Sequence, residues 1–269
     1  MTGRTRRLLT CAGVAVAGAL AIFGLACPLP DAPMTGEVFA PISAVHPLGT
    51  NQLGQDNLLR TLLAAPGTLA IGLAAGTSGL LASTLYGFAT AMLPPMAGRA
   101  MLRVVDILTA LPNIVLAMLL ATCLRPGPLF LAAILAAITW PAEVRLLAAL
   151  ARGQMQRDSF RTARVYGAGP LHLLRRHLLP PAGPVLAALA IQGTRRAVMH
   201  ASGLAFLGLT NPSSPTWGSM LAESLPLFYE PTAVWLITGP AAALSLSILG
   251  LTFLGTRLER RHIPTGEAA

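Results

Sequence analysis

Long uncharged stretches divide this chain, and each approaches the length that a helix needs to cross a bilayer. Between successive Asp, Glu or Arg residues the sequence is uncharged over 8–30, 61–98, 107–124, 126–142, 177–194, 197–222 and 231–256. A spanning helix needs about 20 apolar residues, with about 17 to 25 the usual range. The pattern predicts an all-α, multi-pass membrane protein with six spanning helices, at 8–29, 66–93, 107–124, 126–145, 182–209 and 233–255.

Two of these spans include charged residues. The fourth continues past Pro141 to Glu143 and Arg145, which we expect at the membrane interface, and no Asp or Glu is expected near the middle of the membrane. The fifth joins two uncharged stretches across Arg195 and Arg196, which lie near its centre. The apolar run of the first span is longer than the apolar region of a signal peptide, which has about 7 to 15 residues. We therefore predict that the first span is an uncleaved anchor.

The charge of the chain is explained by its orientation. Only 11% of the residues are charged, all 19 basic residues are arginine, and the net charge is +9. Because cytoplasmic loops are enriched in basic residues, we predict that both termini are cytoplasmic, which places 15 arginines on that side. This assignment favours membrane orientation over nucleic-acid binding. The absence of lysine excludes ATP hydrolysis by P-loop chemistry on this chain.

Three segments follow from this topology. We predict that residues 1–60 form an anchor helix and an outer loop, that residues 61–260 form the transmembrane domain, and that residues 261–269 form a cytoplasmic tail. The transmembrane domain contains a basic cytoplasmic loop at 152–181. In this loop Gly167-Ala168-Gly169-Pro170 separates two short helices on the membrane surface, and Pro180-Pro181 ends the second. A basic amphipathic segment that binds anionic lipid is the alternative interpretation.

The same loop resembles the coupling motif of permeases of bacterial ABC importers, E-A-A, three residues, G, nine residues, I-x-L-P. Arg161-Thr162-Ala163 stands at E-A-A, Gly167 at the glycine and His177 at the isoleucine, and Leu179-Pro180 ends the motif. The resemblance implies contact with an ATPase subunit. Because the glutamate is replaced by Arg161, Asp158 is the acid that could take part instead.

Two outer segments resemble the dipeptide, oligopeptide and nickel importer permeases in particular. Residues 46–56, HPLGTNQLGQD, are similar to that family's H-P-L-G-T-D-x-L-G-R-D, and residues 202–219 are similar to its S-F-L-G-L-G followed by P-x-W-G. Turn-forming residues make 46–56 an ordered loop, in which His46 is a hydrogen-bonding residue. Trp217 is placed in the outer aromatic belt or in a surface that receives a binding protein.

The resemblance implies the type I importer permease fold in the bacterial inner membrane and an assembly of several chains. The expected partners are a second permease, two ATP-binding subunits, a substrate-binding protein and membrane lipids, with no nucleic acid and no cofactor. A secondary transporter and a membrane-embedded hydrolase are the other classes. The sequence has no repeat that would suggest the first and no H-E-x-x-H or G-x-S-x-G for the second.

Arg195, Arg196 and His200 are the residues that we expect to line the translocation path. Charges within a span face a water-filled cavity or a partner, and His200 lies one turn beyond Arg196. Two guanidiniums suit an anionic or zwitterionic cargo, and the histidine favours nickel or a carboxylate-rich metal chelate. Import of di- or oligopeptides is the alternative, and no residues are assigned as metal ligands.

Overall fold

The computed structural model describes residues 32–34, 37–211, 215–229 and 233–260, and helices account for most of them. The predicted span at 8–29 and the tail at 261–269 lie outside these residues. The helices are α1 (Asn57–Met92), α2 (Pro95–Thr109), α3 (Asn113–Leu124), α4 (Pro128–Thr139), α5 (Pro141–Met155), α6 (Asp158–Val165), α7 (Pro170–Leu173), α8 (Leu179–Phe206), α9 (Trp217–Ser224) and α10 (Ala233–Arg260). A π-helical turn, Leu174–Leu178, joins α7 to α8, and a 3-10 turn, Leu225–Leu227, follows α9.

Helix α1 is the central element of this arrangement and packs against α8, α5 and α4. Its first turn is capped by Asp56, whose carboxylate accepts a hydrogen bond of 3.0 Å from the backbone N–H of Leu59. Hydroxyl groups along the helix, such as that of Thr68, donate to the carbonyl oxygen four residues earlier. Their polar atoms are therefore satisfied within the apolar surroundings of the helix.

The backbones of α1 and α8 cross in direct contact. A Cβ atom added at Gly76 would lie 2.8 Å from the Cα of Thr194 and 2.8 Å from the carbonyl carbon of Gly193, and nearer still to the Thr194 nitrogen. Small residues at such crossings let membrane helices gain packing contacts that larger side chains would prevent. Gly72 and Gly76 therefore both serve the packing of α1 against α8.

A second row of small residues on α1 meets the α4–α5 pair. At Gly87 a Cβ would lie 3.0 Å from the carbonyl oxygen of Val144, so the helices approach closely there as well. The hydroxyl of Ser83 donates to the carbonyl oxygen of Trp140 at 2.6 Å, at the junction of α4 and α5. Helix α1 therefore fixes the positions of α8 and of the α4–α5 pair relative to each other.

The third and fourth predicted spans are wrong as continuous helices. The axes of α2 and α3 differ by 70°, and those of α4 and α5 differ by 53°. Pro112 lies in the first break and Pro141 directly follows the second. Trp140, before Pro141, keeps helical angles, so the second bend follows from the missing N–H and the bulky ring of Pro141, which kink a helix. A hydropathy count cannot register these bends because the residues around them remain apolar.

The remaining predicted spans agree more closely with the helices. Helix α1 begins nine residues before the predicted 66, α8 is shifted by three residues from 182–209, and α10 begins at the predicted 233. Among the described residues, Asn57–Met92 and Val234–Leu258 are each long and apolar enough to cross a membrane, and each bent pair passes the same test as one broken span.

Replacement of Gly76 by alanine tests the crossing of α1 and α8. The added methyl group would overlap the α8 backbone, and we expect a loss of about 1–3 kcal/mol in stability, typical of overpacking. Thermal unfolding of the purified protein in detergent measures the effect. Gly250→Ala is the matched control, because a Cβ at this helical glycine has no atom within 4 Å. Equal melting temperatures for the two variants would contradict the close crossing.

Candidate functional site

The basic loop contains a short helix that ends at a glycine with left-handed backbone. Helix α6 is followed by Gly167, whose φ is +79°. The N–H of Ala168 donates to the carbonyl of Ala163 at 3.0 Å, and the N–H of Gly167 donates to that of Arg164 at 3.1 Å. This pair of bonds is the Schellman motif, which favours glycine at the left-handed position. The motif glycine therefore sets the geometry of the chain.

The predicted coupling residues divide between the surface and the interior. Asp158, Arg161 and Gly167 are exposed, whereas Ala163 and Leu179 are partly buried and Pro180 is buried. Phe160, with 3% of its surface exposed, anchors α6 to the core. The last two residues of the motif therefore support the segment from inside the protein.

Two large residues at the end of α6 were missed by the sequence analysis. Val165 is 85% exposed and Tyr166 is 86% exposed. They lie beside Arg161 and Arg164 and directly before Gly167. Bulky side chains immediately before a helix-ending glycine are the signal that could have identified them. We call these four residues, Arg161, Arg164, Val165 and Tyr166, the α6 surface.

The prediction that Pro180-Pro181 ends the second short helix is wrong. Pro180 lies in the first turn of α8, directly after the π turn, and Leu179 before it keeps helical angles, with φ −64° and ψ −46°. The backbone is helical from Pro170 through the π turn to Phe206. The second part of the predicted coupling loop is thus continuous with the long helix that carries Arg195, Arg196 and His200.

An ion pair joins α5 to α8. Arg196 donates through Nη2 to Oε1 of Glu143, and only 14% of the Glu143 side chain is exposed. Glu143 was expected at the membrane interface, and in the structure it contacts an arginine near the centre of α8. The sequence indicated no partner for Glu143, because a linear charge count cannot show which helices pack together.

His200 and Arg195 lie close to this pair in the sequence of α8 and are both half-buried. Among the described residues, the Nδ1 atom of His200 and the Nε atom of Arg196 are buried without a hydrogen-bond partner. Buried polar atoms are nearly always satisfied. These two atoms therefore mark a position where a further polar group or water is expected to bind.

One side of α8 is left partly uncovered by the rest of the described chain, and it is polar. This side carries Gln192, Arg195, Arg196, Met199 and Phe206. The uncovered side of α10, by contrast, presents Leu246, Leu249 and Phe253, which are all apolar. An apolar surface suits lipid, whereas charged residues at membrane depth face protein or water.

A second ion pair connects α2 to α5. Arg145 donates through Nε to Oδ1 of Asp106 at 2.9 Å and also contacts this oxygen through Nη2. Because 64% of the Arg145 side chain is exposed, solvent screens this pair more than the pair of Glu143 and Arg196.

The loop before α1 is ordered by side-chain hydrogen bonds, as predicted. His46 Nδ1 lies 2.8 Å from Oδ2 of Asp56. The side-chain nitrogen of Asn51 donates to Oε1 of Gln55 at 3.0 Å. In the motif that this loop resembles, the position of Asn51 is aspartate and the position of Gln55 is arginine. A neutral amide pair therefore stands where the motif has a pair of opposite charges.

Trp217 is buried, and its placement in the outer aromatic belt is wrong. Its side chain is 3% exposed and packs with Ala64 and Met220. Its indole Nε1–H donates to the carbonyl of Thr61 at 2.8 Å, and its backbone N–H donates to the hydroxyl of Thr68 at 3.1 Å. Trp217 therefore fixes α9 to α1.

The fold is similar to that of a known transport protein. A chain of the MetNI methionine ABC transporter in inward-facing conformations aligns with 77% of this chain and 98% of its own length, with a TM-score of 0.59 and 18% sequence identity. The two chains therefore share the same helical fold.

The chain belongs to the family described as binding-protein-dependent transport system inner membrane component, whose profile matches residues 61–264. It is 34% identical over 212 residues to the di/tripeptide transport system permease protein DppC of Pseudomonas aeruginosa, which covers 78% of this chain and 69% of that protein. It is 30% identical over 217 residues to the dipeptide transport system permease protein DppC of Escherichia coli K12, covering 80% and 72%. The protein is therefore located in the bacterial inner membrane, and an importer of this family includes ATP-binding subunits and a substrate-binding protein.

The Asp56 carboxylate gives the outer loop a dependence on pH. Burial raises the pKa of Asp56, but hydrogen bonds from His46 and from the N–H groups of Leu58 and Leu59 together outweigh it, and the net pKa lies below the ordinary value of 3.8. A lowered pKa in the folded state contributes stability above the unfolded-state pKa, and this contribution is lost as the pH falls through the folded-state pKa.

We expect Asp56→Asn to lower the melting temperature at pH 6. The effect should be smaller at about pH 3, which is below the ordinary aspartate pKa, because part of the stabilisation by the carboxylate is lost as the pH falls. Asparagine keeps the helix cap, so the difference reports the charge. Thermal unfolding of both proteins across this pH range is the measurement. A difference that stays constant over the range would contradict the assignment.

Proposed function

We propose that this subunit forms half of the translocation path of an importer for di- or oligopeptides. The names of the similar permeases from Pseudomonas aeruginosa and Escherichia coli support a peptide cargo. The observation that carries the proposal is the ion pair of Glu143 and Arg196 beside unpartnered polar atoms of Arg196 and His200. The path is lined by Arg195, Arg196 and His200, as expected from the sequence, together with Glu143.

The depth of this cluster supports a role in the path. Ten residues separate Arg196 from the end of α8 at Phe206, a distance of about 15 Å at the helical rise. This is half of the roughly 30 Å hydrocarbon thickness of a bilayer. A charged cluster at this depth requires a water-filled space or a protein partner, and the uncovered polar side of α8 faces one of these.

A site with both signs of charge fits a zwitterion better than an ion of one sign. If a peptide with free termini enters between Glu143 and Arg196, its ammonium group pairs with the carboxylate and its carboxylate pairs with the guanidinium. Both protein charges then stay paired. A cargo of one sign would leave one of them without a partner, which is costly in a site of low dielectric constant.

The same reasoning weakens the nickel or metal-chelate interpretation. A carboxylate-rich chelate would pair with Arg195 and Arg196 but would place negative charge beside Glu143. Among the described residues, no group of three or more His, Cys, Asp and Glu side chains could hold a metal ion, so His200 is not part of such a group there. Peptide import is therefore the function that this cluster supports best.

The assembly follows from the surfaces of the subunit. The α6 surface contacts an ATP-binding subunit in the cytoplasm, and a second permease completes the path along the uncovered side of α8. The loop at 46–56 faces the substrate-binding protein. This arrangement requires both termini in the cytoplasm, as predicted from the arginine distribution.

Neutralising one member of the ion pair should impair uptake. We expect Glu143→Gln and Arg196→Gln each to lower ATP-driven uptake of a dipeptide by about tenfold or more, because each leaves a lone charge in a partly buried site. Uptake into proteoliposomes that contain the whole transporter and its binding protein measures this effect. Arg99→Gln, at an exposed arginine on α2, is the control.

The double variant Glu143→Gln/Arg196→Gln separates peptide recognition from folding. It leaves no lone charge, so we expect it to assemble with the ATP-binding subunits as the wild type does, yet to remain defective in dipeptide uptake. Wild-type rates of dipeptide uptake in the double variant would rule out a role of the pair in the path. Preserved dipeptide uptake together with lost uptake of a nickel chelate in the single variants would favour the chelate instead.

Restoration of the motif glutamate tests the α6 surface. We expect Arg161→Glu to lower the stimulation of ATPase activity by loaded binding protein several-fold, since a groove that accepts a basic helix repels a carboxylate. ATPase assays on the reconstituted transporter give the result, with Arg99→Glu as the control for a change of charge elsewhere. Unchanged or stronger stimulation would show that the ATPase groove does not complement Arg161.

A further inference from the structure

A cavity of about 270 Å³ lies beneath the coupling segment, away from the translocation path. It is formed where the end of α5, the start of α6, the π turn and the start of α8 meet. Its lining residues come from all four elements and include two arginines and a histidine: Gln154, Arg157, Ser159, Phe160, Arg176, His177 and Pro181. No Asp or Glu is among them, so the cavity favours an anion.

The cavity also contains a buried acceptor and an apolar wall. The Oε1 atom of Gln154 is buried and has no hydrogen-bond partner among the described residues. Phe160 and Pro181 supply the apolar part, and the ring of His177 contacts that of Phe160 edge-on, with centroids 6.2 Å apart. A fitting ligand therefore combines a negative group for the arginines with a hydrogen-bond donor for Gln154.

The level of the cavity relative to the bilayer identifies the source of such a ligand. From Pro181 to Phe206, α8 advances by 25 residues, or about 38 Å. The hydrocarbon core is about 30 Å thick, and the bilayer with its headgroups is about 40–45 Å thick. If the outer end of α8 lies at the outer boundary of the hydrocarbon, Pro181 lies about 8 Å beyond the inner boundary. The cavity then lies among the phospholipid headgroups of the opposite leaflet.

We propose that this cavity binds the phosphoglycerol headgroup of an anionic phospholipid. The guanidinium groups of Arg157 and Arg176 pair with the phosphate, a geometry for which arginine is well suited. A glycerol hydroxyl group donates to Oε1 of Gln154. An ethanolamine headgroup also has a donor, but its ammonium group would be repelled by the two arginines. The volume equals that of about nine liquid waters, which is sufficient for phosphoglycerol.

The site is distinct from the surface that we assign to ATPase contact. On α6, Phe160 points to the interior, whereas the α6 surface lies on the exposed side. A bound headgroup would therefore brace the base of α6 against α5 and α8 without covering Tyr166. The inference does not depend on the identity of the cargo.

Lipid retention by the purified whole transporter tests the proposal. Native mass spectrometry after exchange into phosphatidylglycerol should detect bound lipid on the wild type, and Arg157→Gln/Arg176→Gln should weaken its retention by about thirtyfold, the effect of two surface arginines on anionic lipid. Both side chains are exposed, so the variant should fold. Arg175→Gln, at the adjacent exposed arginine outside the cavity lining, should retain the lipid.

Further lipid-retention measurements identify the headgroup and distinguish a lipid from a free anion. Gln154→Leu should lower retention of phosphatidylglycerol but leave that of phosphatidic acid, which lacks the glycerol headgroup, unchanged. Retention of phosphatidylethanolamine equal to that of phosphatidylglycerol would overturn the headgroup assignment. Displacement of the lipid by millimolar inorganic phosphate would show that the cavity takes a free anion. Equal lipid retention by the wild type and the double arginine variant would overturn the site itself.

Discussion

The contact between the backbones of α1 and α8 determines the arrangement of the other helices. In a bilayer the lipid tails are as apolar as the side chains, so helices associate through close packing and hydrogen bonds. Gly76 and Gly193 allow this packing because neither presents a side chain at the crossing. Further along the same side of α1 the helix packs against α4 and α5, where the hydroxyl of Ser83 bonds to the carbonyl of Trp140.

Because α1 holds both α5 and α8, it also determines the distance between their charged residues. Glu143 lies in the first turn of α5 and Arg196 lies near the centre of α8, and their side chains meet beside the crossing. Helix α8 is in turn continuous with the π turn and α7. A displacement of the π turn and α7 would therefore be transmitted along α8 to Arg196 and its contact with Glu143.

The sequence predicted features that depend on local composition and missed those that depend on packing. The positions of α8 and α10 and the break at Gly167 follow from uncharged stretches and turn residues along the chain. The bends at Pro112 and Pro141 lie within apolar sequence and were invisible to hydropathy. The pairing of Glu143 with Arg196 and the burial of Trp217 depend on residues more than 50 positions apart, which no local pattern connects.

The coupling motif shows how geometry and charge vary separately in such a chain. Gly167 keeps its motif position because the left-handed backbone that ends α6 is strained for any residue with a Cβ atom. Gly208, in the second motif, ends α8 in the same way, with a φ of +69°. Arg161 is exposed, so no packing constraint preserves the glutamate of the motif. The shape of the segment is thus set within this chain, whereas the charge at Arg161 is constrained only by the partner that contacts it.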